Sequence, residues 1–349
     1  MMRSSLRTVI VLVVAGGLVA LFLRHVDLWR VGANIANARP EWLLLSLAAM
    51  VMNLVIRSFR WQYLLEPLGG TSFANAFRAT AVGFAASSLL PARAGEFIRP
   101  YFLARQSRHD GGHRMNATGA FATVILERLL DVITVVILLA AYVFGFGRDV
   151  GVLQPRAFAA AKWSAGVFGA GTLVVLAVLF VMAGDPARLG RTFARFEQFL
   201  PAALAGLVGA VVEKFAIGLG AIRRPARLVG ALAWSFPLWL SIAFGIWSVA
   251  MAFRFAVPFT GTFLLIALLV IGVAVPTPGA IGGFHEAFRV GATTFFGVPE
   301  DGAVGAAIVL HLFSIGPSLL LGLFFAAQEG LNFTGMRRLA DEAEQRHTA

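Results

Sequence analysis

The chain has 349 residues, 58% of them hydrophobic and 13% charged, with a net charge of +11 and no cysteine. Several apolar runs approach the ~20 residues that cross a bilayer, which makes this an all-α polytopic membrane protein. Disulfides, thiolate metal sites and cysteine nucleophiles are excluded, and the basic residues sit in short loops between apolar runs, where anionic headgroups and topology explain them better than nucleic acid does.

In chain order, Arg3 and Arg7 precede the run Val9–Leu23, read as an uncleaved first span because Arg24-His25 follows in place of a small-residue cleavage pattern. A span is expected from about Trp42 to Ile56, ending in Arg57-Ser58-Phe59-Arg60-Trp61. Phe73–Leu90 is apolar but carries Asn75, Arg78, Ser87 and Ser88, and a polar loop holding Arg105, Arg108 and Arg114 is expected after it. Further spans are expected at about Gly119–Phe146, Trp163–Met182 and Leu228–Phe253. Residues 184–225 read as a surface-lying amphipathic segment, since Phe193, Phe196, Phe199 and Leu200 recur at helical spacing. Phe259–Val275 and Phe284–Phe296 flank a Pro/Gly break, and Ala303–Ala327 is the last span, before a short tail at 336–349.

Orientation follows from charge. If Phe73–Leu90 enters and leaves on the N-terminal side and Phe259–Phe296 is a hairpin from the other, 20 of the 29 Lys and Arg lie on the N-terminal side. Eight lie opposite, and Arg128 lies within a span. The positive-inside rule then makes both termini cytoplasmic. An 18-residue apolar stretch suits a hairpin, because roughly 10 residues at ~1.5 Å each reach the midplane. The expected architecture is about six full transmembrane helices plus two re-entrant hairpins, eight hydrophobic passes in one domain over 1–335. The order of elements in 1–147 and 160–330 reads as an inverted-topology repeat.

Two breaks bear charge. In the first, Pro91 cannot continue a helix, Gly95 permits a turn, and Glu96 lies between Arg93 and Arg99. It reads either as a capped loop or as a site where the arginines grip a phosphate and Glu96 fixes their geometry. The second runs through Pro276, Pro278, Gly279, Gly282 and Gly283 to His285 and Glu286. Its glycines let amides approach a ligand, and the following helix would aim its N-terminus at an anion. Unwound backbone at membrane depth survives only inside protein or beside a wet cavity, and paired breaks point to a transporter's substrate site.

Glu127, Arg128 and Asp131 fall mid-span, with Glu127 and Asp131 on one helical face. Each charge costs about 2.5–3.5 kcal/mol at mid-bilayer, so the three must face the bundle or a cavity. They read either as an internally neutralised structural cluster or as a site, with Arg128 an anion contact or the carboxylates a proton- or amine-binding pair. Arg57, Arg60 and Trp61 look like a headgroup anchor, the arginines snorkelling to the interface. His285 beside Glu286 is a poor metal signal, and no P-loop, G-x-G-x-x-G, H-E-x-x-H or G-x-S-x-G motif occurs, so no metal, cofactor or catalytic residue is expected.

At these residues the chain resembles the lysylphosphatidylglycerol synthase transmembrane-domain family of flippase-like membrane proteins. The carrying features are Arg57-x-x-Arg60-Trp61, Leu89-Leu90-Pro91-Ala92-Arg93-Ala94-Gly95-Glu96-x-x-Arg99, Glu127-Arg128-x-x-Asp131 and Pro276-x-Pro278-Gly279-x-Ile281-Gly282-Gly283. The resemblance implies a lipid-handling domain whose cargo is an anionic phospholipid, a polyprenyl-linked lipid or a hopanoid-type lipid. No soluble aminoacyltransferase domain of the kind found in the fused members is expected, so synthesis of a lysyl-lipid is not implied, and Ala280 stands where the family often has Gly. The expectation is a bacterial inner-membrane lipid translocase, not an enzyme, with a lipid-modifying enzyme or a second copy as candidate partners. Rival readings are a membrane-embedded transferase or accessory subunit acting on a lipid carrier, and an ion-coupled small-solute transporter.

Overall fold

The computed structural model describes residues 27–90, 95–109, 115, 117–146, 225–274 and 277–329, with scattered positions between 155 and 174. The expected span Val9–Leu23, the segment 184–225, the tail at 336–349, and most of Trp163–Met182 lie outside the described residues. Among those described there are helices and turns but no strands. The helices are α1 (Leu28–Ala36), α2 (Pro40–Leu65), α3 (Phe73–Leu89), α4 (Gly95–His109) and α5 (Ala117–Ala141, running into a π-helical turn at Tyr142–Phe146). After these come α6 (Pro225–Ala252), α7 (Gly261–Ala274), α8 (Gly283–Phe296) and α9 (Glu300–Gln328).

Among the described residues, four helical stretches are long and apolar enough to cross a membrane: Pro40–Leu68, Ala117–Phe146, Ala226–Ala252 and Glu300–Gln328. α2 and α6 run antiparallel along their whole length. At one end the Arg39 amide donates to the Ala252 carbonyl (3.0 Å), and at the other Arg227 pairs with Glu66 (3.0 Å). Between those ends Ser46 donates to the Gly245 carbonyl (2.9 Å) and Asn53 to the Leu238 carbonyl (2.8 Å). Polar side chains thus bond across two apolar helices, a role they take where water offers no alternative.

The remaining helices form two antiparallel pairs, α3 with α4 and α7 with α8, each interrupted by one of the Pro/Gly breaks. At ~1.5 Å per residue, α3 is about 25 Å long and α7 and α8 about 21 Å each, all short of a ~30 Å core. The first pair follows the Glu66 end of the α2/α6 pair and the second follows the Ala252 end, so they start from opposite ends of the bundle. Their tips meet: a Cβ placed on Gly279 would lie 3.6 Å from the Ser88 carbonyl oxygen.

This corrects the expectation for Phe73–Leu90, which does not fold back within 18 residues. It is one continuous arm, and the return arm is α4, in the segment read as a polar loop. Ile98, Phe102 and Leu103 are buried and hold α4 in place despite Pro100. The short helix α1 is a second addition, capped by Asp27, whose carboxylate accepts from the Trp29 amide at 2.9 Å. Trp29 is 86% exposed, a fit to a helix lying at the lipid–water interface.

Glycines allow both pairs to close. A Cβ on Gly95 would lie 1.7 Å from the Gly83 carbonyl oxygen, and one on Gly272 would lie 2.3 Å from the Gly283 carbonyl oxygen. Backbone meets backbone there, so a substitution must move an arm rather than a flexible side chain. Gly95→Ala is expected to destabilise by on the order of 3 kcal/mol, read as a lowered unfolding midpoint in detergent. An unchanged midpoint would show that the arms do not pack this closely.

Candidate functional site

The charged residues of α2, α4 and α5 converge. Glu127 and Asp131, one turn apart on α5, both point into the bundle. Arg60 bridges them, reaching Asp131 at 2.6 Å and Glu127 at 3.4 Å, and donates to the Ser235 hydroxyl at 2.8 Å. Arg99 pairs with Glu127 at 2.6 Å while its guanidinium stacks over the Trp61 ring at 3.7 Å. Arg57 lies 3.5 Å from Asp131, and the Trp239 indole donates to Asp131 at 3.1 Å. Arg128 turns the other way on α5, 3.4 Å from Asp131 and 3.5 Å from Glu96.

The headgroup-anchor reading of Arg57, Arg60 and Trp61 is therefore corrected. Arg60 and Trp61 are wholly buried and Arg57 is nearly so. A snorkelling arginine leaves its stem along lipid and its head in water, but these point inward because two buried carboxylates need counter-charges. Arg128 alone cannot balance Glu127 and Asp131. That imbalance was the available signal for assigning Arg57 and Arg60 to the interior. Trp61 in turn donates its indole N–H to Thr123 at 3.0 Å.

Beside this network lies a cavity of about 570 Å³. It is walled by residues of α2 to α9 and by the turn Thr277–Ala280, and its lining is mostly apolar. Its charged lining comprises Arg57, Glu96, Arg99, Arg128 and Asp131. Gly95 lines it on one side and Thr277, Gly279 and Ala280 on the other. Glu127 and Arg60 stand behind this wall. Glu96 and Arg128 are the accessible members, their side chains 30% and 35% exposed. Arg99 is 97% buried (3% exposed), and its Nε and Nη2 have no hydrogen-bond partner among the described residues. A guanidinium beside a cavity, with two N–H groups unpaired among the described residues, is suited to bidentate contact with an oxyanion once the cavity opens to it.

The second break supplies less of the site than its sequence promised. Gly279 (φ 60°), Ala280 (φ 57°) and Gly282 (φ 89°) make a left-handed turn, and α8 begins at Gly283. Only Ala280 lacks a glycine's freedom there, at a cost of about 1–2 kcal/mol; this accounts for the glycine noted above at that position. Phe284 lines the cavity, whereas His285 and Glu286 do not. Glu286 is turned away and pairs with Arg289, which also reaches Glu300, so it is corrected from cargo contact to structural ion pair. His285 packs against His311, a residue that sequence reasoning missed because a lone histidine in an apolar span carries no pattern. Pro278 lies in the turn itself. Arg93 and Pro276 lie outside the described residues. Among the described residues, no group of three or more His, Asp or Glu side chains is placed to hold a metal ion.

The helices, the buried ion network and the charged cavity at the meeting of two helix breaks define a multi-pass α-helical membrane protein. The chain belongs to the family described as the lysylphosphatidylglycerol synthase TM region, whose profile matches residues 8–322. A UPF0104 membrane protein of Methanocaldococcus jannaschii is 26% identical over 128 residues, a stretch covering 36% of this chain and 36% of that protein.

Proposed function

We propose that the protein is a lipid translocase in which a polar headgroup passes through the cavity between the two helix breaks while the acyl tails stay in the bilayer. The observation that carries this reading is the placement of Glu96, Arg99 and Arg128 in one cavity with the first residue of α4, Gly95, and the turn Thr277–Ala280 of the second break. Membership of a family named for the membrane region of a lipid-modifying enzyme supports it. Both helix pairs would be re-entrant, entering from opposite faces as an inverted repeat, in a bacterial inner membrane with cytoplasmic termini.

Arg99 would hold a headgroup phosphate in its two spare N–H groups, since a fork of donors matches two oxygens of one anion. Arg128 and Glu96, which are half-buried and mutually paired, would exchange that pairing for contacts to cargo. Arg60, Glu127 and Asp131 would hold the arginines in place. No catalytic role is assigned, so a separate lipid-modifying enzyme would make the cargo.

Purified protein in vesicles carrying a fluorescent phospholipid is expected to speed lipid exchange between leaflets. Glu96→Ala and Arg128→Ala are expected to lower that rate by about tenfold, the effect of losing ~1.4 kcal/mol from a charge-assisted contact. Both side chains are partly exposed, and Asp131 keeps Arg57 and Arg60 when Arg128 is removed, so folding should change by no more than about 1 kcal/mol. Unchanged exchange in both variants would overturn the site.

A further inference from the structure

His285, which is buried, and His311, which is half-buried, form a second polar group, apart from the ion network and not lining the cavity. Their rings lie 4.4 Å apart, centroid to centroid, with the edge of Phe284 against His311 at 5.1 Å. Each ring bonds the second break. The Gly279 carbonyl can only accept, so the 2.7 Å contact requires His311 Nε2 to carry a proton and donate. The Gly282 amide can only donate, so its 3.4 Å contact requires His285 Nδ1 to be the unprotonated nitrogen. The two histidines together clasp the turn Gly279–Gly282, which holds three left-handed residues and touches α3 at Ser88.

A proton on His285 would undo its half of the clasp. Nδ1 would change from acceptor to donor and face the Gly282 N–H donor to donor. The new charge would also sit in the first turn of α8, where the helix dipole is already positive, and beside a second imidazole. A strained turn persists only while its surroundings over-determine it. Releasing one of its restraints therefore favours another backbone conformation, and the tip would move away from Ser88.

The charged groups on the surrounding elements are otherwise engaged or distant in sequence. α7 carries no titratable residue, and α3 carries only Arg78, which lies over the Phe325 ring. On α8, Glu286 and Arg289 pair with each other and with Glu300 of α9; Asp301 of α9 lies 3.9 Å from Arg30. Across the cavity stand Arg57, Glu96, Arg99, Arg128 and Asp131, in the network described above.

We propose that His285 and His311 are a proton-binding site that unlatches the second helix break from the first, so that opening of the cavity is linked to proton uptake. This rests on the translocase reading for its purpose, but not for its test. Since the chain has no cysteine, Ser88→Cys places a single thiol at the tip-to-tip contact. Its rate of labelling by a water-soluble maleimide is compared with that of the same thiol in a His285→Asn/His311→Gln background, at the same pH. Asn retains an acceptor where Nδ1 lies and Gln a donor where Nε2 lies, but neither titrates. Taking the ratio at each pH cancels the thiol's own ionisation.

The ratio is expected to be near one at about pH 7 and to rise toward about fivefold as the pH falls to about 4, the factor that one net hydrogen bond provides. The rise falls below the range of a free histidine because burial, the second imidazole and the helix N-terminus all oppose the charge. Each single variant, carried alongside, is expected to reduce that rise. A ratio that stays at one throughout would overturn the proton site, even if lipid exchange is active. A rising ratio in a protein that exchanges no lipid would uphold the proton site and overturn the translocase reading.

Discussion

Glu127→Ala is expected to be the most damaging single substitution at the site, costing about 3–5 kcal/mol, the penalty for stranding buried charges. Glu127 is fully buried and accepts from both Arg60 and Arg99. Its removal leaves Arg99 with no carboxylate partner and Arg60 with Asp131 alone. Neither arginine can lose its proton or reach water by a rotamer change. The readout is monodisperse yield and unfolding midpoint in detergent. Glu127→Gln keeps an acceptor and is expected to fall between wild type and Ala. A midpoint for Ala within about 1 kcal/mol of wild type would mean that the interior is wet enough to solvate both cations.

Arg99→Lys is expected to separate charge from geometry. Lysine keeps the positive charge beside Glu127, so the fold should survive, but it presents a point charge where arginine presents a fork. The stacking over Trp61 is lost, as are the two spare N–H groups. Lipid exchange is expected to drop about tenfold or more, in line with a charge-assisted hydrogen bond of ~1.5–3 kcal/mol. Activity equal to wild type would mean that Arg99 serves only Glu127, and the oxyanion seat would have to be sought at Arg57 and Arg128.

The two substitutions pull apart functions that the sequence presents as one motif. α2, α5, α6 and α9 were readable because a membrane-length apolar run ends in charge or in Pro and Gly; the observed α5, α6 and α9 extend those runs by only a few residues, whereas α2 continues past Ile56 to Leu65. Both breaks were readable for the same reason. α4 was not: its residues are polar on average and include Pro100, and its burial depends on α3 lying against Gly95. Direction was the other missing quantity. Arg57 and Arg60 lie one turn apart at the end of an apolar run, a pattern that fits snorkelling and inward pairing equally well. The unbalanced carboxylates Glu127 and Asp131 favour inward pairing, and their position across the bundle shows where each arginine goes.

Ala280 and His311 show the same limit at the second break. The Pro/Gly content announced an interrupted helix, but not which residues take left-handed backbone or which side chain from α9 holds the turn. Similarly, Glu286 was a reasonable cargo ligand by position, yet Arg289 sits three residues on and takes it up. A charge near a break thus faces the cavity only if no closer partner competes for it.

The most direct test of a headgroup seat between the breaks is native mass spectrometry of the protein after exchange into lipid-free detergent. Wild type is expected to retain a phospholipid, and Arg99→Gln with Arg128→Gln is expected to lose it while remaining folded. Equal retention by both proteins, or none by wild type, would contradict the account.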